Sequence, residues 1–372
     1  MLALFWISVL FIVYTLVGYV GCLWLLTRFD QKQVARASIE PSISILIVVR
    51  DGEKIIETKL RNCLDQDYPQ EKMEVAVVCD GASPATEAIV ESFSDRKVSL
   101  IRTGRCGKPY GLAMALRHTS GEIVVFTDAG VLMDTDALRS LVSNFADPRV
   151  GCVSSEDATI DNRDNAEPYY VDFDARMRRL ECAFSTMIAA SGSLFAARRA
   201  ACQKWNDRMS SDFFVPLNSI MLGMDTVVDT RVKGYLGSVT AGDEFGRKVR
   251  TIVHGIHVLN EYNDLLNPFR YGVRAWELAS HKLFRWLLPL AFAGVFVSSG
   301  LLARYSHLFG AVFLLQMLVY ICGALAMEVS CLRRILVLRL AGFFVLNIVA
   351  TVYAWVKCLQ GEYYVLWEPS RR

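Results

Sequence analysis

The stretch EIVVFTDAG, residues 122–130, is a run of β-favouring apolar residues that ends in one carboxylate, Asp128. Many enzymes end such a strand with two acids separated by one residue, and the two carboxylates together hold a metal ion. Here the third position is Gly130, which has no side chain. The stretch predicts a buried strand, and it leaves two interpretations of Asp128 open: a catalytic edge that lacks one ligand, or a strand that stops at a turn.

Three more apolar runs have the same character, at residues 42–49, 74–79 and 97–101. They are nearly continuous in apolar residues, as is typical of strands covered on both faces. Segments with apolar residues at helical spacing lie between them. Alternation of strand and helix predicts an α/β domain with a mostly parallel sheet.

The ends of these strands carry the polar residues that indicate a site. Arg50, Asp51 and Glu53 follow the first strand, Asp80 ends the second and Asp128 follows the fourth. Ligands bind at the carboxyl ends of parallel strands. One acid alone would be interpreted as a helix N-cap, but three acidic strand ends on one edge favour a binding site. A G-x-G-x-x-G fingerprint and a P-loop motif are both missing from the sequence, so neither type of nucleotide site is expected.

The two ends of the chain predict membrane helices. Hydrophobic residues make up 53% of the 372 residues, and residues 2–27 carry no charge. A bilayer requires about 20 consecutive apolar residues. A cleaved signal peptide is the alternative for this first run, but no basic segment precedes it. Residues 286–357 contain three further apolar runs, so we expect one transmembrane helix at residues 1–27 and three within 286–357.

Basic residues set the expected orientation. Arg28, Lys32 and Arg36 follow the first span. Because positive residues stay on the cytoplasmic side, we expect a multi-pass protein of the inner (plasma) membrane with a cytoplasmic middle domain. The net charge of +2 gives no indication of a nucleic-acid partner, and none is expected. The ten cysteines form no C-x-x-C pair and are interpreted as free thiols.

Several motifs occur in an order that resembles the family 2 glycosyltransferases, which have the GT-A fold and include the membrane-bound polysaccharide synthases. The motifs are ISILIVVRDGEKII, VVCDGASPATEAIV, RCGKPYGLAMAL, GEIVVFTDAGVLMDTDAL, MIAASGSLFAARR, SSDFFVPL and EFGRKVRTIVHGIHVL. The resemblance covers about residues 40–260, which are therefore expected to form a GT-A glycosyltransferase domain flanked by transmembrane α-helices.

The resemblance implies a role for each matching residue. Asp212 corresponds to the catalytic base, and Ser191 and Gly192 to the acceptor side. Asp128 corresponds to the first acid of the Asp-x-Asp motif and so to a ligand of a divalent metal, Mg²⁺ or Mn²⁺. The residues that would bind the nucleotide sugar are Arg50, Glu53, Asp80, Lys108, Asp128, Arg247 and Arg250.

The same resemblance implies an inverting transferase that uses a nucleotide-diphosphate donor, such as a UDP-sugar. The acceptor would be a growing polysaccharide or a lipid-linked glycan, with membrane lipid and polysaccharide export proteins as partners. Thr251 stands where processive synthases carry Trp, so single addition to a lipid-linked acceptor stays open. A different interpretation is a non-catalytic membrane scaffold that keeps the fold and nucleotide binding but has lost the acid at position 130.

Two local patterns have structural alternatives. Asp212 precedes an apolar run, so it could simply cap a helix. Arg247 and Arg250 lie beside the expected membrane surface and could serve lipid contact instead of phosphate contact. Residues 261–285 predict an amphipathic helix on the cytoplasmic leaflet, capped by Asn267, with a buried helix as the alternative. Residues 358–372 are expected to form a basic tail.

Overall fold

The computed structural model describes residues 1–159, 167–236 and 244–364. It has one mixed sheet with helices on both faces, followed by apolar helices. The strands are β1 (Ile43–Val49), β2 (Met73–Asp80), β3 (Val98–Thr103), β4 (Ile123–Thr127), β5 (Val131–Met133), β6 (Val150–Thr159), β7 (Leu194–Arg198) and β8 (Asp225–Leu236).

The helices of the middle domain alternate with these strands. They are α2 (Ile56–Leu64), α3 (Pro84–Glu91), α4 (Lys108–Arg117), α5 (Ala137–Ser143), α6 (Glu167–Phe184), α7 (Ser211–Met221) and α8 (Glu244–Glu261). The predicted α/β class is confirmed, and the first four strands lie within a residue or two of their predicted bounds.

The sheet order is β3-β2-β1-β4-β7-β6-β8-β5. β1, β2, β3 and β4 pair in parallel, and every residue of β1 is buried. β7 pairs antiparallel with β4, so that Leu194 lies opposite Thr127. This antiparallel strand brings the turn before Leu194 to the same edge as Asp128, which alternation of strand and helix alone does not predict.

Two hydrophobic layers cover the sheet. One contains Ile45, Ile47 and Val77 with the helices α2 and α3. The other contains Leu46, Val48 and Phe126 with α4 and α7. Successive strand residues point to opposite faces, and both faces are covered, so the strands are apolar at nearly every position.

Four helices are long and apolar enough to cross a membrane: α1 (Leu2–Leu26), α9 (Val273–Leu302), α10 (His307–Glu328) and α11 (Leu336–Leu359). Small residues let these helices approach closely. A Cβ added to Gly294 of α9 would lie 2.3 Å from Oγ of Ser8 in α1. A Cβ added to Gly323 of α10 would lie 2.7 Å from the carbonyl oxygen of Ala341 in α11.

The segment between the middle domain and the apolar helices differs in detail from its predicted division. Asn267 caps a short helical turn, Pro268–Tyr271, by accepting a hydrogen bond from the amide of Phe269 at 3.0 Å. Gly272, with φ of 55°, separates this turn from α9. From Val273 the helix continues without a break to Leu302. The second half of the predicted amphipathic helix therefore belongs to α9. No helix-breaking residue separates it from the apolar part of that helix.

Candidate active site

The carboxyl ends of β1, β2 and β4 lie side by side, as parallel pairing requires. Val49 is opposite Cys79, which brings Arg50 and Asp80 to one edge. The buried carboxylate of Asp80 accepts hydrogen bonds from the amides of Cys106 at 2.7 Å and Gly107 at 3.0 Å. Gly107 has φ of 93°, a value that favours glycine. Asp80 therefore holds the loop from which α4 begins.

Lys108, the first residue of α4, faces Asp128 across the cleft. Its Nζ lies 2.6 Å from Oδ1 of Asp128 and 3.4 Å from the carbonyl oxygen of Gly192. Burial alone would lower the pKa of Lys108, but the carboxylates of Asp128 and Asp212 outweigh it and raise that pKa. The Lys108 ammonium is therefore charged at neutral pH and marks where the negative charge of a ligand would be stabilised.

Asp212 lies in the first turn of α7 and is held from three sides. Its carbonyl oxygen accepts a hydrogen bond from the amide of Ala190 at 2.8 Å. Its Oδ1 accepts one from the hydroxyl of Ser210. Its Oδ2 faces Gly192, where an added Cβ would be 3.0 Å away. Asp212 is not the N-cap residue of α7, which is Ser210, and it lines a cavity.

The turn that precedes β7 joins the two halves of the site. The amide of Asp128 donates to the carbonyl oxygen of Ser193 at 3.0 Å. Ser191 is buried, and its amide donates to Oγ of Ser154 at 2.8 Å. The hydroxyls of Ser191 and Ser193 are 2.7 Å apart. Ser191 therefore supports the turn from inside, whereas Gly192 is the residue that borders the site.

The arginines of α8 approach the same place. Arg247 lines the cavity together with Asp212. The positive charge of Arg250 counteracts the rise in the pKa of Lys108 and also lowers the pKa of His254. Both effects require that Arg250 lie close to these groups.

Arg50 and Glu53 lie at the same sheet edge, next to the Asp80 strand end. Arg50 Nε is 3.7 Å from Oδ2 of Asp51. Glu53 accepts a hydrogen bond from the hydroxyl of Ser83 at 2.5 Å, and Ser83 caps α3. Glu53 thus ties the first loop to the loop after Asp80.

The acidic residues at this sheet edge could hold a metal ion only together with ligands from the substrate. Within the described ranges, no group of three or more His, Cys, Asp or Glu side chains is arranged to hold a metal ion. Mg²⁺ is often bound by one or two carboxylates, with substrate phosphates and water completing the shell. Asp128 at the cleft fits this mode, in which most of the ligands come from the substrate.

A cavity of about 720 Å³ extends from Asp212 to the apolar helices. Near Asp212 its wall contains charged side chains, among them Asp174, Arg178, Arg247, Lys282 and Arg285. Further on its wall is mostly apolar, with Asn347 and Thr351 as polar members. The apolar part is formed by Leu288, Pro289, Phe292, Leu340, Phe343, Phe344 and Ile348 from α9 and α11. The cavity connects the candidate base to the level of the membrane helices.

Two residues at the site were not predicted from the sequence. Lys59 is fully buried, and its ammonium donates to Oγ1 of Thr127 at 2.9 Å and to the carbonyl oxygen of Val131 at 2.5 Å. It thereby fixes the turn that carries Asp128. The sequence does contain an indication of this burial, because Lys59 lies on the same apolar side of α2 as Ile56 and Cys63. Lys282 of α9 lines the cavity, but its position on a helix predicted to lie at the membrane surface did not indicate this.

Comparisons with known proteins identify the family that the middle of the chain matches. Residues 44–205 match the model of the family described as "Glycosyl transferase family 2". A beta-monoglucosyldiacylglycerol synthase of Trichormus variabilis is 25% identical over 290 residues, which are 73% of this chain and 61% of the relative. A poly(ribitol-phosphate) beta-N-acetylglucosaminyltransferase of Staphylococcus aureus is 33% identical over 101 residues, 26% of this chain and 17% of the relative. The chain thus spans about three fifths of the length of the first of these relatives.

A solved structure shares the whole architecture. The mannosyltransferase PcManGT of Pyrobaculum calidifontis, solved with GDP-Man and Mn²⁺, superposes with a TM-score of 0.72. The match covers 96% of this chain and 99% of that one, at 24% sequence identity. The family match confirms the family expected from the motifs, and the solved structure confirms the fold. Residues 44–205 are a family 2 glycosyltransferase domain, and the protein has the GT-A fold.

Proposed function

We propose that the protein is a membrane-bound, inverting glycosyltransferase that moves a sugar from a nucleotide-diphosphate donor to a lipid-borne acceptor. The observation that carries the proposal is the cavity at Asp212, which begins at the candidate base and ends between helices of membrane-spanning length. The convergence of Lys108, Asp128 and Gly192 beside Asp212 supports a transfer reaction there.

The donor would lie along the sheet edge. The loops after β1 and β2, with Arg50, Glu53 and Asp80, border the nucleotide, and Lys108, Arg247 and Arg250 face the diphosphate. These three cations stabilise the negative charge that develops on the departing diphosphate. A divalent ion, when bound by Asp128 and the diphosphate oxygens, would supply further stabilisation of that charge.

Asp212 would act on the acceptor. Its Oδ2 takes the proton of the acceptor hydroxyl while that oxygen bonds to the anomeric carbon of the sugar. The bond from this carbon to the diphosphate oxygen breaks at the same time, and its electron pair leaves with the diphosphate. Attack from the face opposite the leaving group inverts the anomeric configuration. The Ser210 hydrogen bond to Oδ1 holds the base in orientation.

A lipid-borne acceptor fits the cavity better than a growing polysaccharide. A glycan presents hydroxyls along its length, and buried hydroxyls without partners cost about 1–3 kcal/mol each in proteins. Phe292, Phe343 and Ile348 offer side chains without polar groups, which suit a hydrocarbon chain. The relatives named beta-monoglucosyldiacylglycerol synthases make, by their name, a glycolipid. Export proteins would be required only for a secreted polymer.

The basic residues after α1 support a cytoplasmic orientation of residues 40–260. Arg28, Lys32 and Arg36 follow the first apolar helix within ten residues. The location that we propose is therefore the inner membrane, with the active site on the cytoplasmic side, where nucleotide sugars are available.

The test is a donor screen on the purified protein in lipid nanodiscs. UDP- and GDP-sugars are supplied with Mg²⁺ or Mn²⁺ and a membrane-lipid extract, and both the release of nucleoside diphosphate and the transfer of labelled sugar to the organic phase are measured. We expect one donor to label a lipid and Asp212→Asn to lower the rate at least 10³-fold while donor affinity is retained. Donor binding without any release, across the panel, would instead favour the scaffold.

A further inference from the structure

Lys282 has an unusual environment for a lysine in an apolar helix. It lies in a π-helical turn of α9, Ala279–Leu283, and lines the cavity. Its ammonium lies 5.3 Å from the ring centroid of Phe213, the residue that follows Asp212. In the part of the chain that the structure describes, no carboxylate oxygen is within 4.0 Å of this ammonium.

The neighbouring basic residues differ from Lys282 in this respect. Arg178 Nε is 2.7 Å from Oδ2 of Asp174, and Arg285 is 3.0 Å from Oδ1 of the same carboxylate. Asp174 is therefore shared by two guanidinium groups. Burial alone would raise the pKa of Asp174, but Arg178 and Arg285 lower it well below its usual range, so this group stays negative.

The described cavity wall as a whole has more positive than negative groups. Five basic side chains (Arg178, Arg247, Lys248, Lys282 and Arg285) accompany three acidic ones (Glu156, Asp174 and Asp212). An excess positive charge in a partly apolar enclosure is costly unless an anion neutralises it. A single ammonium with no carboxylate oxygen within 4.0 Å in the described residues is the natural contact for that anion.

We infer that the acceptor lipid bears a phosphate and that Lys282 binds this phosphate beside Asp212. The inference rests on the proposed function and names its acceptor class. The hydrocarbon chain would lie against Phe292, Phe343 and Phe344, the phosphate at Lys282, and the acceptor hydroxyl at Asp212. Two lipid classes have this chemistry: a glycerophospholipid with a hydroxylated headgroup, and a sugar joined to a long-chain alcohol through a diphosphate.

A binding experiment tests the phosphate site without relying on transfer. Trp286 lines the same cavity, so its fluorescence reports occupancy, and Trp286→Phe identifies its share of the signal. The probes are dioctanoyl phosphatidic acid and dioctanoylglycerol, which differ by the phosphate. We expect the phosphatidic acid to bind the wild type at least tenfold more tightly than the neutral lipid.

Variants of Lys282 test whether the preference for phosphatidic acid arises from this lysine. Lys282→Met should remove the tenfold preference, and Lys282→Arg should restore most of it. Lys233→Met makes the same charge change at an exposed site on β8, outside the cavity wall, and should leave the preference intact. Equal affinity of the wild type for both probes, or unchanged selectivity in Lys282→Met, overturns the inference.

Transfer assays then distinguish the two lipid sources and separate this inference from the proposed function. Phosphatidylglycerol is compared with a neutral monoacylglycerol, and a polyprenyl-diphosphate-linked sugar with an alkyl glycoside of the same sugar. We expect one phosphate-bearing member to have a KM at least tenfold below that of its neutral partner. Sugar transfer that proceeds equally well to the neutral acceptors would contradict the phosphate site while supporting the glycosyltransferase. A rise in donor KM in Lys282→Met would assign Lys282 to the donor and also contradict the inference.

Discussion

Gly192 and Asp212 lie in contact across the site, so that a methyl group built on the α-carbon of Gly192 would be 3.0 Å from Oδ2 of Asp212. Such a separation is shorter than an ordinary van der Waals contact, and Oδ2 is the oxygen that we assign to the acceptor proton. We expect Gly192→Ala to lower kcat about tenfold, because the carboxylate must shift by a few tenths of an ångström and positioning of this kind is sensitive to small displacements.

The matched control for Gly192→Ala is Gly21→Ala, since an added Cβ at Gly21 meets nothing within 4 Å. Its kcat should equal that of the wild type. Donor affinity, measured by calorimetry, should be the same in all three proteins. A wild-type kcat in Gly192→Ala would show that Oδ2 of Asp212 does not face the acceptor.

Lys108→Met tests the ammonium that bridges Asp128 and Gly192. Hydrogen bonds to charged groups contribute roughly 1.5–3 kcal/mol, so we expect the donor KM to rise between about tenfold and about 160-fold. Lys204→Met, at an exposed lysine, removes a charge elsewhere and should not change the donor KM. An unchanged donor affinity in Lys108→Met, measured by calorimetry, would remove Lys108 from the donor site.

Removal of divalent metal is expected to reduce transfer, and Mn²⁺ or Mg²⁺ should restore it. Because Asp128 is accompanied by Gly130 and not by a second acid, most ligands of the ion must come from the diphosphate. Metal affinity measured by calorimetry should therefore be at least tenfold higher with nucleoside diphosphate present than without it. Asp128→Asn should abolish this increase. Full transfer in the presence of a chelator would show that the cations of the site suffice.

The stability of the protein is expected to depend on His254 below neutral pH. Burial lowers the pKa of His254, although the Tyr364 carbonyl and the Asp212 carboxylate oppose this, while Arg250 and His257 add to it. The ring is neutral at pH 7, and its Nε2–H donates to the carbonyl oxygen of Tyr364 at 2.7 Å. The unfolded chain accepts a proton near pH 6.5, where the folded protein does not.

This difference stabilises the folded state fully above about pH 6.5, and the contribution is lost as the pH falls through the lower pKa of the folded protein. The melting temperature of the wild type should therefore fall more steeply from pH 7 to pH 5 than that of His254→Asn. Parallel melting curves for the two proteins across this range would show that His254 does not take up a proton on unfolding.

The amino-acid sequence by itself determined the elements and their chemistry. Apolar runs fixed the first four strands, because strands covered on both faces contain few polar residues, and the uncharged runs at both ends fixed the four long helices. Parallel pairing then made it predictable that Asp80 and Asp128 would share an edge with the loop after β1. Asp212 could be proposed as the base from its motif, although not from its surroundings.

Only the tertiary structure decided which side chains touch. The turn at Gly192 reaches Asp128 because β7 is antiparallel, and Lys282 reaches Phe213 because α9 packs against the start of α7. Lys108 and Gly192 are 84 positions apart. Such contacts follow from how the sheet, α7 and the apolar helices pack together, and hydrophobic packing is non-directional, so residue spacing along the chain carries no record of them.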